Sequence, residues 1–218
     1  MKSLYIVGAG GCGRELLSML LNTGLYSGKY TIVGFLDDTD NPLQGKACDR
    51  DVVGTIKGYI PQENDTLLMG IADPHAKARL VPILKEKGAH FTSFIHPGVS
   101  LGRNNTIGEG VVIYGGMGMT VNVSIGDFTT LQACYLGHDV TIGKYSTISS
   151  FCNIMGYVNI EERVFLGSNV AVKPKTIIHK DSYVCMGSVV IKDVGEYTKV
   201  IGNPAREIGI YECKKFME

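Results

Sequence analysis

"LQACYLGHDVTIGKYSTISSFCNI", residues 131–154, decides the fold. Leu136, Ile142, Ile148 and Ile154 recur every sixth position, and only the step from Leu131 to Leu136 is five. Followed upstream, the six-step passes through Ile125, Met119, Ile113, Ile107, Leu101 and Ile95; downstream it passes through Ile160, Leu166, Val172, Ile178, Val184 and Val190. All 17 positions are Ile, Leu, Val or Met, and a fixed period of this kind marks a repeat architecture. A period of six is neither the 3.6 of a helix nor the 2 of a plain strand. It predicts a β-solenoid in which each hexad is one short flat strand plus a corner, and three hexads close a triangular coil.

A second inward slot follows four residues after each later column member. It holds Val140, Ser146, Cys152, Val158, Val164, Val170, Thr176, Ser182 and Ser188, all small or β-branched, as a cramped position requires. Glycine often follows the aliphatic, as at Gly102, Gly108, Gly126, Gly143 and Gly167. That placement predicts sharp corners with unusual backbone angles. In YGGMGMTV, residues 114–121, Met119 fills a column slot, and the stretch reads either as core filling or as flexible lining of an acceptor pocket.

Residues 1–93 follow another grammar. Leu4–Gly8, Thr31–Leu36 and Thr66–Ile71 read as strands, while Gly13–Asn22 and Pro74–Lys87 read as helices, the second with Pro at its start and Gly88 after its end. The expected organisation is a Rossmann-like α/β half domain over 1–93, the solenoid over 94–201 and a C-terminal tail over 202–218. Gly8-Ala9-Gly10-Gly11-Cys12-Gly13 lies between a strand and a helix, and Asp37-Asp38 follows the next strand. Such a loop lets backbone amides approach a diphosphate at a helix N-terminus. A dinucleotide needs two mononucleotide halves, and the chain before the solenoid has room for one. A single nucleoside diphosphate is therefore expected, with an unliganded tight turn as the alternative.

Lys+Arg and Asp+Glu both number 21 in 218 residues. With no basic block, neither nucleic acid nor an anionic membrane is an expected partner. The N-terminal apolar run is too short for a signal sequence or a membrane span, so the expected location is the cytoplasm. Six cysteines, at 12, 48, 134, 152, 185 and 213, form no C-x-x-C pair and read as small hydrophobes. His96, His138 and His179 lie 42 and 41 residues apart, a spacing without the near pair usual in a three-imidazole zinc site, so no metal is expected.

The hexad pattern resembles the hexapeptide-repeat acyltransferases, whose solenoid is a left-handed parallel β-helix. The closing GNPAR, residues 202–206, is similar to the segment with which many of them leave the helix. A GAGGCG domain ahead of the helix, His138-Asp139 and FLDD are similar to a narrower group, the bacterial nucleotide-sugar N-acetyltransferases and related sialic-acid O-acetyltransferases. The resemblance implies acetyl transfer from acetyl-CoA to the amino group of a UDP-linked deoxy-amino sugar, for surface glycan biosynthesis. O-acetylation of a sugar is the alternative, and a non-catalytic trimeric scaffold binding a sugar nucleotide is an alternative of another class. It further implies a homotrimer with active sites between subunits. By position it assigns Gly10, Gly11, Cys12, Asp37, Asp38 and Ala72 to the nucleotide sugar, and Thr147, Gly156, Ser168, Met186 and Gly187 to acetyl-CoA. Lys173, Lys175, Lys192 and Arg206 are its candidate phosphate partners. Many relatives have histidine where Cys12 stands.

His138 falls two places after a column residue, so its side chain is expected to point out of the solenoid. A lone outward histidine is otherwise a solvated one; the adjacent Asp139, matching the acid that follows the family's base, makes it the candidate general base. An acetyl thioester is already electrophilic, so the reaction asks only for a group that takes the amine's proton, and imidazole titrates near neutral pH. No Ser or Cys pairs with this histidine in sequence, so direct attack without an acyl-enzyme is expected. The five-residue step just upstream is expected either to re-aim His138, as a bulge does, or to be a plain tightened corner.

Overall fold

The computed structural model describes residues 1–211. The N-terminal region is a four-stranded parallel sheet of order β3-β2-β1-β4. Its strands are β1 (Lys2–Val7), β2 (Tyr30–Leu36), β3 (Val52–Gly54) and β4 (Asp65–Met69), with α1 (Gly11–Thr23) and α2 (Pro74–Glu86) as its helices. The strand β3 was not expected from sequence: three residues ending in glycine carry almost no periodic signal. Leu16, Leu17 and Leu20 bury one face of α1. The helix stops at Gly24, whose φ of 58° is the left-handed cap that glycine adopts without strain.

From β5 (Phe94–Ile95) to β21 (Val189–Val190) the chain is a run of 17 two-residue strands that wind a left-handed parallel β-helix of triangular section. Its three faces are named here by their outward residues. Face A presents Phe94, Val112, Thr130, Thr147, Phe165 and Tyr183; face B presents Ser100, Gly118, Tyr135, Asn153, Ala171 and Val189; face C presents Thr106, Ser124, Thr141, Asn159 and Ile177. Edges A, B and C are the corners that follow each face. The aliphatic column is buried from Ile113 to Val190, while Leu101, in the first coil with nothing stacked above it, is 49% exposed. The second inward slot is buried throughout. Its hydroxyls are satisfied on corner carbonyls: Ser146 donates to Glu161, Ser182 to His179 and Ser188 to Cys185, as burial of a polar group requires.

Two expectations about the corners change. The glycines after the column do not take unusual angles; they are there because successive coils touch. A Cβ at Gly102 would lie 1.8 Å from the Thr120 carbonyl oxygen, and one at Gly143 would lie 2.5 Å from Glu161. The left-handed residue comes two places later, at Asn104, Asn122, Asp139, Tyr145, Phe151, Tyr157, Arg163 and Asn169 among others. Between Leu101 and Val184 every corner places it three residues after the column except one: after Leu131 it falls two residues on, at Ala133, with φ of 31°. The five-residue step is thus a tightened corner on edge A. His138 sits in the next corner, on edge B, which has the ordinary geometry, so the step does not re-aim it within its own chain.

Residues 202–211 of the expected C-terminal tail continue the solenoid sheet. β22 (Thr198–Ile201) and β23 (Arg206–Ile210) form an antiparallel hairpin that extends the sheet of face A. Met117 and Met119 are both core residues. Cys134 and Cys152 are buried and Cys12, Cys48 and Cys185 half-buried, all as free thiols; Cys213 lies outside the described residues.

Candidate active site

The six residues expected at the nucleotide come together. Gly10, Gly11, Cys12, Asp37, Asp38 and Ala72 line one cleft of ≈ 480 Å³, closed by Ala76, Arg79 and Leu80 of α2. The glycines are forced by packing. Gly8 has φ of 97°, and a Cβ on Gly13 would stand 1.9 Å from the Gly8 carbonyl oxygen, so α1 starts hard against β1. Gly10 caps α1 without a side-chain bond, which leaves the first amides of the helix for an anion. The acidic pair is already engaged: Asp37 accepts from the backbone N–H of Ala9 at 2.7 Å and of Thr39 at 2.8 Å, and Asp38 from that of Lys57 at 3.0 Å. These carboxylates hold the loops that form the cleft wall.

The cleft is fixed to face A by a contact not foreseen in the sequence. Lys77 of α2 is fully buried, and its ammonium donates to Thr130 Oγ1 (3.1 Å), the Ser146 carbonyl (3.0 Å) and Thr147 Oγ1 (2.9 Å). Thr147 in turn donates to the carbonyl of Ala72 at 2.5 Å. Burial pushes the Lys77 pKa down to about 7. Thr147 therefore does not line an open groove: it is sealed in the seam between the domains, 1% exposed. Cys12 is joined to the solenoid by its thiol, 3.2 Å from the Tyr114 hydroxyl, and burial pushes that thiol's pKa up.

His138 stands on edge B, its side chain 54% exposed. Its Nδ1 is 2.8 Å from Asp139 Oδ2, and Asn122 Nδ2 donates to the other carboxylate oxygen at 3.1 Å. The bonds from His138 and then Asn122 hold the Asp139 carboxyl below the usual range, so it stays an acceptor. An ionised Asp139 fixes the proton on Nδ1 and leaves Nε2 with a lone pair, the tautomer a base needs. Tyr157 meets the ring edge-on at 5.0 Å between centroids. Below it, a Cβ at Gly156 would lie 2.6 Å from His138 Nε2, so Gly156 is the seat of the imidazole as well as a residue expected near acetyl-CoA.

The remaining residues expected at acetyl-CoA divide between two edges. Ser168, exposed Met186 and Gly187 are on edge A, whereas exposed Lys173, Lys175 and Lys192 run down edge B beneath His138 and Gly156. Arg206 is exposed on β23. Edges A and B flank face B. Among the described residues no group of three or more His, Cys, Asp or Glu could hold a metal ion, and no helix is long and apolar enough to cross a membrane.

The hexad-built prism with an α/β region ahead of it is the fold of solved hexapeptide-repeat acetyltransferases, to which the chain is similar. The matched models are the PglD N-terminal domain over residues 3–84 and the hexapeptide repeat of succinyl-transferase over 157–192. The chain thus joins a segment similar to the PglD N-terminal domain to a hexapeptide-repeat solenoid. It is 29% identical to GDP-perosamine N-acetyltransferase of Escherichia coli O157:H7, across 94% of this chain and 96% of that one. PerB from Caulobacter crescentus, solved with CoA and GDP-perosamine, superposes with a TM-score of 0.84 at 24% identity, across 96% and 98% of the two chains. The acyl-[acyl-carrier-protein]–UDP-N-acetylglucosamine O-acyltransferase of Pseudomonas paraeruginosa is 33% identical over 107 residues. That match spans 48% of this chain and 42% of the Pseudomonas enzyme.

Proposed function

We propose that the chain transfers acetyl from acetyl-CoA to the amino group of a nucleoside-diphosphate deoxy-amino sugar, with His138 as general base, in a homotrimer whose sites lie between subunits. The observation that carries the chemistry is the His138 Nδ1–Asp139 pair, which leaves Nε2 free to accept a proton. The amine attacks the thioester carbonyl as Nε2 takes its proton; the C–N bond forms. The tetrahedral intermediate then collapses with cleavage of the C–S bond, and the imidazolium returns a proton to the departing CoA thiolate. Lys173, Lys175 and Lys192 on the same edge offer cations to the CoA phosphates.

The trimer is supported by the placement of the two half-sites. The nucleotide cleft is docked on face A, and His138 is on the edge opposite that face, so one subunit cannot bring them together. Face B and its flanking edges expose Tyr135 (52%), Phe151 (71%), Met155 and Met186 (70%), an apolar surface that a second copy would cover. With face B turned to a three-fold axis, edge A of one subunit meets edge B of the next. The expected location is the cytoplasm, where an activated sugar would be acetylated before its transfer into a surface glycan.

A thiol-release assay over UDP-, GDP- and dTDP-amino sugars and hydroxyl acceptors, free sialic acid included, tests this reading. The panel carries UDP, expected from the resemblance, and GDP, after the full-length relative. Release with an amino sugar that falls about 10²–10⁴-fold in His138→Ala, with both ligands still bound, is the expected result. Release with hydroxyl acceptors alone moves the assignment to O-acetylation. Tight nucleotide binding without release from any acceptor makes the protein a scaffold.

A further inference from the structure

We infer that the shortened corner at Ala133 is the acceptor notch of the intersubunit site, cut into edge A at the height of the partner subunit's His138. This rests on the trimeric reading above. Rotation about an axis parallel to the prism leaves height unchanged, so residues of one coil meet residues of the same coil in the neighbour. Leu131 begins the corner holding Ala133, and Leu136 begins the next corner of that coil, holding His138. The one missing residue in the solenoid therefore falls on the edge that faces the base, at the base's own level.

The surroundings of Ala133 are those of a recess. In the coil above, the His96 ring covers Gly115, its Nδ1 2.8 Å from where a Cβ would stand, whereas a Cβ on Gly116 would meet only the Ala133 methyl, at 3.9 Å. In the coil below, Phe151 is 71% exposed and forms a floor; its N–H still bonds the Ala133 carbonyl at 3.0 Å, so the ladder continues beneath the recess. At the equivalent corner position edge B carries Asn122, Asp139, Tyr157 and Lys175, all with long or polar side chains. Edge A at this height has lost a residue and carries only a methyl.

The recess is also wired to the nucleotide cleft. Tyr114, on edge A in the coil above Ala133, has its hydroxyl 3.2 Å from the Cys12 thiol and donates to the carbonyl of Cys12 in the glycine loop at 3.3 Å. A sugar leaving the Gly10–Cys12 loop would pass Tyr114 and enter the recess, with its amine directed at the base across the interface. The notch thus takes the hexose ring of a nucleotide amino sugar.

The test uses Ala133→Asn. Asparagine tolerates a left-handed backbone, as at Asn122 and Asn169, and its side chain fills the recess. Steady-state kinetics are measured with the acceptor that the wild type uses. The expected result is a KM for the nucleotide sugar raised at least about tenfold, with the KM for acetyl-CoA, the trimer and the melting temperature unchanged. Gly116→Asn, one coil above at φ of 74°, supplies a second variant where Ala133→Asn folds poorly and is expected to raise the same KM. Kinetics like the wild type's in the folded variants, or equal loss for both substrates, would overturn the notch. A wild type that releases no CoA with any acceptor overturns the functional reading itself, and the notch falls with it.

Discussion

Replacing Gly156 by alanine should slow catalysis without unfolding the solenoid. Its backbone lies outside the left-handed region, so alanine can adopt it. The added Cβ would stand 2.6 Å from both Cε1 and Nε2 of His138 and 3.1 Å from Cδ2. Non-bonded heavy atoms rest at about 3.5–4.0 Å, so the ring must move by roughly 1 Å. It can do so only by tilting away from Asp139, now 2.8 Å distant, or by swinging Nε2 off the line to the amine. A misplacement of about 1 Å costs about 10²-fold in rate, near 2.7 kcal/mol in activation free energy. The assay is kcat and both KM values by thiol release, beside a thermal melt. The expected result is kcat down about 10²-fold with both KM values near wild type. Because the defect acts through His138, Gly156→Ala added to His138→Ala should slow the enzyme no further. A kcat within threefold of wild type, or full additivity in the double variant, would refute the claim that this glycine seats the base.

Three further perturbations probe the parts around the base. Asp139→Asn removes the anion that fixes the imidazole tautomer and should lower kcat by about 10–10²-fold; because hydrogen bonds hold the Asp139 carboxyl below the usual range, its ion pair is present at neutral pH and is lost only as pH falls through that lowered value. Wild-type activity should therefore show no Asp139 titration above pH ~5. Lys77, lowered from 10.5 to about 7 by burial, is protonated in the unfolded chain and increasingly neutral in the folded one as pH rises between those values. Stability should then climb with pH over that window, by at most about 5 kcal/mol, and melting curves of Lys77→Met should lack the climb. Arg163 grips Asp181 through two bonds, at 2.7 and 2.9 Å, and the carboxylate is 4% exposed. Arg163→Met should leave that carboxylate only His75 Nδ1, 3.6 Å away, and cost about 3 kcal/mol, read as a melting temperature lower by about 10 °C.

Much of this was legible because a solenoid repeats its physics every six residues. The column and the small inward slot announce themselves, and the loop glycines and Asp37 converge on one cleft as their spacing implies. Other features were hidden for identifiable reasons. Lys77 reads as a solvated helix lysine, yet it stands in line with Val81 and Leu84 on the buried face of α2; a lysine in an apolar stripe is the available signal. Arg163 and Asp181 are one coil apart, 18 residues, a spacing that identifies stacked corner residues once the coil length is known. The corner angles were misassigned because glycine serves two needs, close approach and left-handed φ, and here the first decides. Thr147 was misplaced because outward threonines look alike in sequence until something is known to cover them.

Which face is covered is itself written in the outward residues, read once per coil. Face A begins Phe94, Val112, which pack with Leu16, Leu17 and Leu20 of α1, then Thr130 and Thr147, which take the Lys77 ammonium of α2; face C reads Thr106, Ser124, Thr141, Asn159, which suits water; face B mixes small residues with exposed Tyr135. That reading holds only if phase is kept through the five-residue step. Had the missing residue come from a strand, every later side chain would have exchanged inside for outside. Instead Leu131 and Leu136 on its two sides are both fully buried, and strand pairing simply changes from an 18-residue to a 17-residue offset between Val112–Thr130 and Thr130–Thr147. A corner is the one place where a solenoid can lose a residue without losing its core. The loss falls in the corner beside the nucleotide cleft and level with His138, where the chain gains space for a ligand and gives up only a corner residue.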